Sequence, residues 1–214
     1  MSFVPDLGTI LAFALAAAVL AITPGPDMAL QLSRTVNYGR AHGLAVGFGA
    51  MSGVAVHTTL VALGISVLIV AAPLAFLALK IAGAAYLIWL AWQAVVHGGG
   101  LRIATAAATP PSIRQSFLTG IGINLLNPKV VLFFVTFLPQ FVDAHDPAAS
   151  QKLFFLGAEF IAISIPLMIG TVILAEQLTR ALTRTRWVQK ALNYSFAAVF
   201  ASFAAVILTA QARH

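Results

Sequence analysis

Six long apolar runs dominate this chain, and they leave little choice about its solvent. They extend roughly over Leu7–Tyr38, Gly43–Val70, Leu74–Val96, Ser112–Leu138, Lys152–Ala175 and Trp187–Thr209. Each reaches the ~20 residues that a helix needs to cross hydrocarbon. The chain has 214 residues, 60% hydrophobic and only 8% charged, where a soluble domain carries roughly 25% charged residues. A chain of this size cannot bury so much apolar surface in a core, so the expectation is an all-α integral membrane protein of six hydrophobic helices. The run at 7–22 is Ala-rich like a signal peptide, but the only charge before it is Asp6. A signal peptide has a positive leading region, so this run reads as a retained first span.

Charge sets the expected orientation. The net charge is +6, yet the basic residues are scattered between apolar runs and form no nucleic-acid-binding stripe. The first, third and fifth connections and their flanks hold Arg34, Arg40, Arg102, Arg114, Arg180, Arg184, Arg186 and Lys190. The second and fourth hold Asp143, Asp146 and Lys152. By the positive-inside rule, the connections with Arg40, Arg102 and Arg184 face the cytoplasm and the C-terminus lies outside. The chain has no cysteine, which excludes thiol redox chemistry and thiolate metal sites.

Two runs are interrupted at matched points. "TPGPDMALQL" breaks the first and "LNPKVVLFF" the fourth. Proline costs about 3 kcal/mol inside a helix and glycine about 1, so breaks are expected at Pro24–Pro26 and at Asn127–Pro128. The pattern reads as two three-helix repeats, 1–96 and 112–214, joined by a cytoplasmic linker at 97–111. Three spans is an odd number, so the second copy enters the membrane inverted. Inverted repeats with one broken helix each are a transporter pattern, and the breaks mark the binding site.

Pro26 and Pro128 each suit the first position of a new helix, where the missing N–H costs nothing. Asp27 and Lys129 follow them at equivalent places with opposite charge. The pair suits a small zwitterionic amino acid: Asp27 for the ammonium, Lys129 and a helix N-terminus for the carboxylate. The alternative is that the two side chains pair with each other to permit burial. Asn124 precedes Asn127 by three residues on one helix face, and one or both are expected to line the break. The candidate substrate site is therefore Pro24, Gly25, Pro26, Asp27, Asn124, Asn127, Pro128 and Lys129.

Other polar residues within the runs carry proton-coupling or bland readings. Glu159 is either a proton carrier or a residue facing a wet vestibule. His57 reads as a neutral, hydrogen-bonded histidine, with proton coupling as its functional alternative. Lys80 is long enough to snorkel to the outer surface. Gly39, Gly43 and Gly47, and Gly49 with Gly53, are spaced for close helix approach; an exposed face of this kind permits a homodimer.

At these residues the chain resembles the LysE/RhtB superfamily of bacterial amino-acid exporters. "TPGPD", "GRAHGLAVGFGAMSGVAVH", "LKIAGAAYLIWLAW" and "GIGINLLNPKVVLFFVTFLPQF" match its motifs in order, over nearly the whole chain. The resemblance implies a bacterial inner-membrane protein that exports an amino acid or derivative by proton antiport, with no cofactor. It carries Pro24, Gly25, Pro26, Asp27, Lys80, Asn124, Asn127, Pro128 and Lys129 onto motif positions. Asp27 stands where many members have Asn, and Ala91 where Gly is usual. Competing readings are a divalent metal-ion transporter using Asp27, His57 and Glu159, and an intramembrane hydrolase using Ser52 and His57. Five residues along a helix set Ser52 and His57 roughly 140° apart, which opposes the second.

Overall fold

The computed structural model describes residues 3–65, 73–93, 95–96, 109–143, 146–184 and 186–209. Nine α-helices are assigned there, with no strand among the described residues: α1 (Leu7–Ile22), α2 (Pro26–Tyr38), α3 (Arg40–Leu60), α4 (Pro73–Gln93), α5 (Ile113–Leu125), α6 (Pro128–Leu132), α7 (Ala149–Ile173), α8 (Ala175–Arg184) and α9 (Arg186–Thr209). Arg102, most of the 97–111 linker and the C-terminal His214 lie outside the described residues, as does the side chain of Lys80.

The two expected breaks are present and nearly identical in size. α1 bends into α2 by 51°, and α5 bends into the segment Pro128–Phe141 by 52°. Each bent pair is long and apolar enough to cross a membrane, as are Arg40–Gly64 and Ala149–Ile173. α4 and α9, at 21 and 24 residues, pack on one another. Leu11, Leu15, Leu60, Leu63, Leu77 and Ile88 project outward from these helices. That outward apolar shell is unstable against water and natural against lipid.

Helix ends follow local chemistry. Asp6 caps α1, accepting from the Thr9 N–H at 3.0 Å and from the Thr9 hydroxyl at 2.6 Å. These bonds hold its carboxyl below its usual range. Ser112 and Gln115 form a reciprocal capping box at the start of α5. Gly39 joins α2 to α3 at φ +92°, a conformation side chains resist. After α6 the backbone loosens into a π-helix over Phe133–Phe137 and then tightens into a 3-10 turn over Leu138–Phe141. Pro139 sits at this change, since it cannot donate to an upstream carbonyl. The Gln140 side chain serves the Thr136 carbonyl there, at 3.1 Å.

The fifth connection is helical. "EQLTRALTRTR", with Arg180 and Arg184 one turn apart, reads as a solvated face of the fifth connection, and Ala175–Arg184 is a helix. Glu176 and Arg180 stand one turn apart and pair at 3.7 Å, a spacing that supports an exposed helix. In the fourth connection, Asp146 pairs with Lys152 and accepts from the Ala148 N–H, which holds its carboxyl below its usual range.

Close packing of α3 organises the bundle. Cβ atoms at Gly49 and Gly53 would press into the Phe117 backbone and the Asn124 side chain of α5; at Gly43 and Gly47, into Thr35, Gln31 and Met168. Gly43, Gly47, Gly49 and Gly53 thus face helices of the same chain, while Gly39 at the turn is exposed. In lipid, where apolar burial gives no net drive, such van der Waals contact is what holds helices together. Below the second break, Phe13, Phe133, Phe134, Phe137, Phe160 and Phe203 form one aromatic cluster, with centroids of neighbouring rings 4.7–5.8 Å apart.

Candidate functional site

Each break supplies the polar groups that the other lacks. In the first, Pro24 has no N–H, so the Leu20 carbonyl loses its helical partner four residues on. Pro26 does the same to Ile22. The Lys129 ammonium, from the second break, donates to the Leu20 carbonyl at 3.2 Å and to the Thr23 carbonyl at 2.8 Å. A cation at a helix C-terminus is also favoured by the helix dipole. Gly25 makes room for it: a Cβ there would stand 3.3 Å from Lys129 Nζ. The backbone at Gly25 is extended, so space rather than conformation calls for glycine.

The second break reaches back in the same way. Asn127 caps α6, its Oδ1 accepting from the Lys129 backbone N–H at 3.1 Å. Its Nδ2 donates to Asp27 Oδ1 at 2.6 Å, and Asn124 Nδ2 donates to Asp27 Oδ2 at 2.9 Å. Both carboxyl oxygens act as acceptors. Asp27 and Lys129 therefore do not satisfy each other directly. Asp27 is held by two amides, Lys129 by two carbonyls, and Asn127 joins them. Asn124, Asn127 and Lys129 are all buried, and Asp27 is partly exposed.

A cavity of about 80 Å³ lies beside this cross-link. Asp27, Asn124, Lys129 and Thr23 line it from the breaks, and Gln31 and Ser164 from α2 and α7. Apart from Thr171, the rest of its wall is apolar, including Val46, Met51, Phe160 and Met168. This is the usual make-up of a small-molecule site: mostly apolar, with a few fixed polar groups. Pro24, Gly25, Pro26, Asn127 and Pro128 shape the breaks without lining the cavity.

Two other candidates sit apart from it. His57 is buried behind Asn124, with Nε2 3.4 Å from the Asn124 carbonyl and its ring stacked on Phe134. Glu159 is half-buried on α7, off the cavity wall, and its Oε2 has no partner among the described residues. Ser52 donates to the Phe48 carbonyl of its own helix at 3.0 Å. Among the described residues no three His, Asp or Glu side chains gather as a metal site would require.

Two residues of the site were not singled out from the sequence. Gln31 is buried and donates to the carbonyls of Gly43 and Met168, both at 3.4 Å. Its signal was available: it follows Asp27 by four residues, one turn along the same face. Ser164 had none, being one small polar residue in an apolar run.

The comparisons with known proteins agree with this geometry. The LysE type translocator family model matches residues 18–211. The chain belongs to that family. It is a membrane transporter and not an enzyme. It is 33% identical over 203 residues to a homoserine/homoserine lactone efflux protein of Salmonella typhimurium, covering 95% of this chain and 96% of that one. It is 27% identical over 205 residues to a leucine efflux protein of Klebsiella pneumoniae, covering 94% and 95%. An uncharacterized membrane protein of Vibrio cholerae is 34% identical over 209 residues, covering 97% of this chain and all of that protein. No solved structure matches the chain.

Proposed function

We propose that this transporter exports a small zwitterionic amino acid or derivative across the bacterial inner membrane, exchanging it for protons. The observation that carries the reading is the cross-link of the two breaks beside one small cavity, with a carboxylate at one break and an ammonium at the other. A zwitterion offers the same two charges. Its ammonium competes for Asp27 and its carboxylate for Lys129, so its entry loosens the link that holds the breaks together. The matching bends, and the packing of α3 on α7 and α4 on α9, support two inverted three-helix repeats. Rocking of one repeat against the other then opens the site to alternate sides. Relatives named for efflux of homoserine and of leucine support amino-acid export.

A proton is an adequate driver. Entry of one charge through 100 mV supplies about 2.3 kcal/mol, and one pH unit adds about 1.4 kcal/mol. Together they sustain a neutral-substrate gradient of several hundredfold. The test is counterflow of labelled amino acids in proteoliposomes, with a panel of amino acids and divalent cations as competitors. Competition by amino acids alone is expected. Exchange blocked by divalent cations and indifferent to amino acids would replace this reading with the metal-transport one.

The same reading places the connections with Arg40, Arg102 and Arg184 in the cytoplasm and His214 outside. Pairing of Lys152 with Asp146 leaves little free positive charge in the connections assigned to the outside. The absence of native cysteine makes the assignment easy to check. A single cysteine at Arg40 should resist an impermeant reagent added to intact cells and react after lysis; labelling in intact cells reverses the orientation.

A further inference from the structure

Ser164 departs from a pattern that ten other hydroxyls on these helices keep. Thr35, Ser52, Thr58, Thr59, Thr119, Thr136, Thr171, Ser195, Ser202 and Thr209 each donate to the carbonyl four residues earlier. This back-bond is the default for a hydroxyl on a helix with no better partner. Ser164 is 4% exposed, and its Oγ has no hydrogen-bond partner among the described residues. A buried hydroxyl left unpaired is costly, and an alanine here would avoid that cost while favouring the helix. The residue also lines the cavity that holds Asp27.

Its height in the bundle is fixed by neighbouring contacts. Gln31, one turn after Asp27, reaches the carbonyl of Met168, one turn after Ser164. Gly43 sits against both Thr35 and Val172, a further turn along each helix. α2 and α7 thus run side by side in register, and Ser164 faces the cavity at the level of Asp27.

We propose that Ser164 is a specificity residue whose hydroxyl bonds the side-chain hydroxyl of a hydroxylated amino acid while Asp27 holds the ammonium. The inference rests on the amino-acid reading above. In an extended γ-hydroxy amino acid, four bonds separate the nitrogen from the oxygen, a span of about 5 Å, suited to bridging opposite walls of a small cavity. The carboxylate is left to Lys129. A site that supplies a hydrogen bond to a substrate hydroxyl rejects the analogue lacking it, because its own polar group is then stranded.

The test uses isosteric pairs: homoserine against norvaline, and threonine against valine. Counterflow of labelled homoserine into proteoliposomes is measured with each as competitor. Wild type should prefer the hydroxylated member of a pair. Ser164→Ala should lower that preference five- to tenfold, the size of one neutral hydrogen bond. Thermal stabilisation of the detergent-solubilised protein by homoserine and norvaline reports the same ratio without transport. A variant with the ratio unchanged, or one that loses both members of a pair equally, overturns the assignment. Wild type that exchanges amino acids with no preference for the hydroxyl also overturns it and leaves the export reading intact. Wild type that exchanges no amino acid removes the export reading itself.

Discussion

Asp27→Asn is expected to retain amino-acid counterflow while losing most of its response to an imposed pH gradient, and Asp27→Leu to lose both. The geometry explains the difference. Asp27 accepts from Asn124 and Asn127 through separate oxygens. An amide at this position keeps one acceptor and turns a donor toward its other neighbour. Asn127 cannot rotate to meet it, because its Oδ1 caps the Lys129 N–H. Asn124 can, because its own Oδ1 has no partner among the described residues. One flip of Asn124 therefore rebuilds the link with a neutral group. The resemblance noted above fits, since many members carry Asn at this position. What the amide cannot do is take up and release a proton. If Asp27 carries one proton per cycle, wild type should accumulate substrate about tenfold per unit of pH gradient, and the Asn variant should show almost no accumulation. Leucine offers neither amide an acceptor, strands two buried donors at roughly 1–3 kcal/mol each, and leaves Lys129 without a counter-charge. Uptake driven by a pH gradient, measured beside counterflow in the same vesicles, decides the matter. An Asn variant with an unchanged gradient response moves proton coupling elsewhere, with half-buried Glu159 the next residue to test. A leucine variant that transports normally reduces Asp27 to a helix-start residue.

The breaks were legible because proline and glycine act locally. Pro24, Gly25, Pro26 and Pro128 end and restart helices through their own backbone chemistry, whatever surrounds them. Asn127 as a cap and Asp27 in a first turn follow from the same local rules. The partners of Asp27 and Lys129 were not legible. Opposite charges at equivalent places left open either a zwitterion between them or a direct pair, but each side chain takes uncharged partners from the other break. Lys129 finds carbonyls to cap because Pro24 removes the helical partner of Leu20 and the helix ends at Thr23, and only the three-dimensional approach of α1 to α6 brings the two together. The π-to-3-10 sequence after α6 and the burial of Ser164 depend on packing across the bundle, which periodicity in an all-apolar run does not record. The α3 glycines lie between these cases. Their spacing announced close approach, but the partner was another helix of the same chain.

Lys129→Met should be the most destabilising single change at the site. The ammonium is the donor to the Leu20 and Thr23 carbonyls, and it is the cation nearest to Asp27 within the cross-link. Its removal takes the donor from the Thr23 carbonyl, leaves the Leu20 carbonyl with the Thr23 N–H alone, and leaves a carboxylate uncompensated among buried groups. Breaking one side of a buried charge arrangement typically costs about 3–5 kcal/mol. Arginine is not a safe replacement: its planar head is larger, and the space is tight enough that even a Cβ at Gly25 would stand 3.3 Å from the ammonium. Both variants are expected to lose transport, but that alone does not separate a substrate ligand from a structural clamp. The double variant Lys129→Met with Asp27→Asn does. If the two charges balance each other through Asn127, neutralising both restores about 1–3 kcal/mol of what Lys129→Met lost, a coupling that a double-mutant cycle measures directly. Equilibrium unfolding in mixed micelles supplies the four stabilities. A double variant that regains stability but not counterflow assigns Lys129 to the substrate carboxylate as well as to the clamp. If the two losses simply add, Asp27 and Lys129 are independent caps of their own helices, and the cross-link is a matter of packing rather than charge.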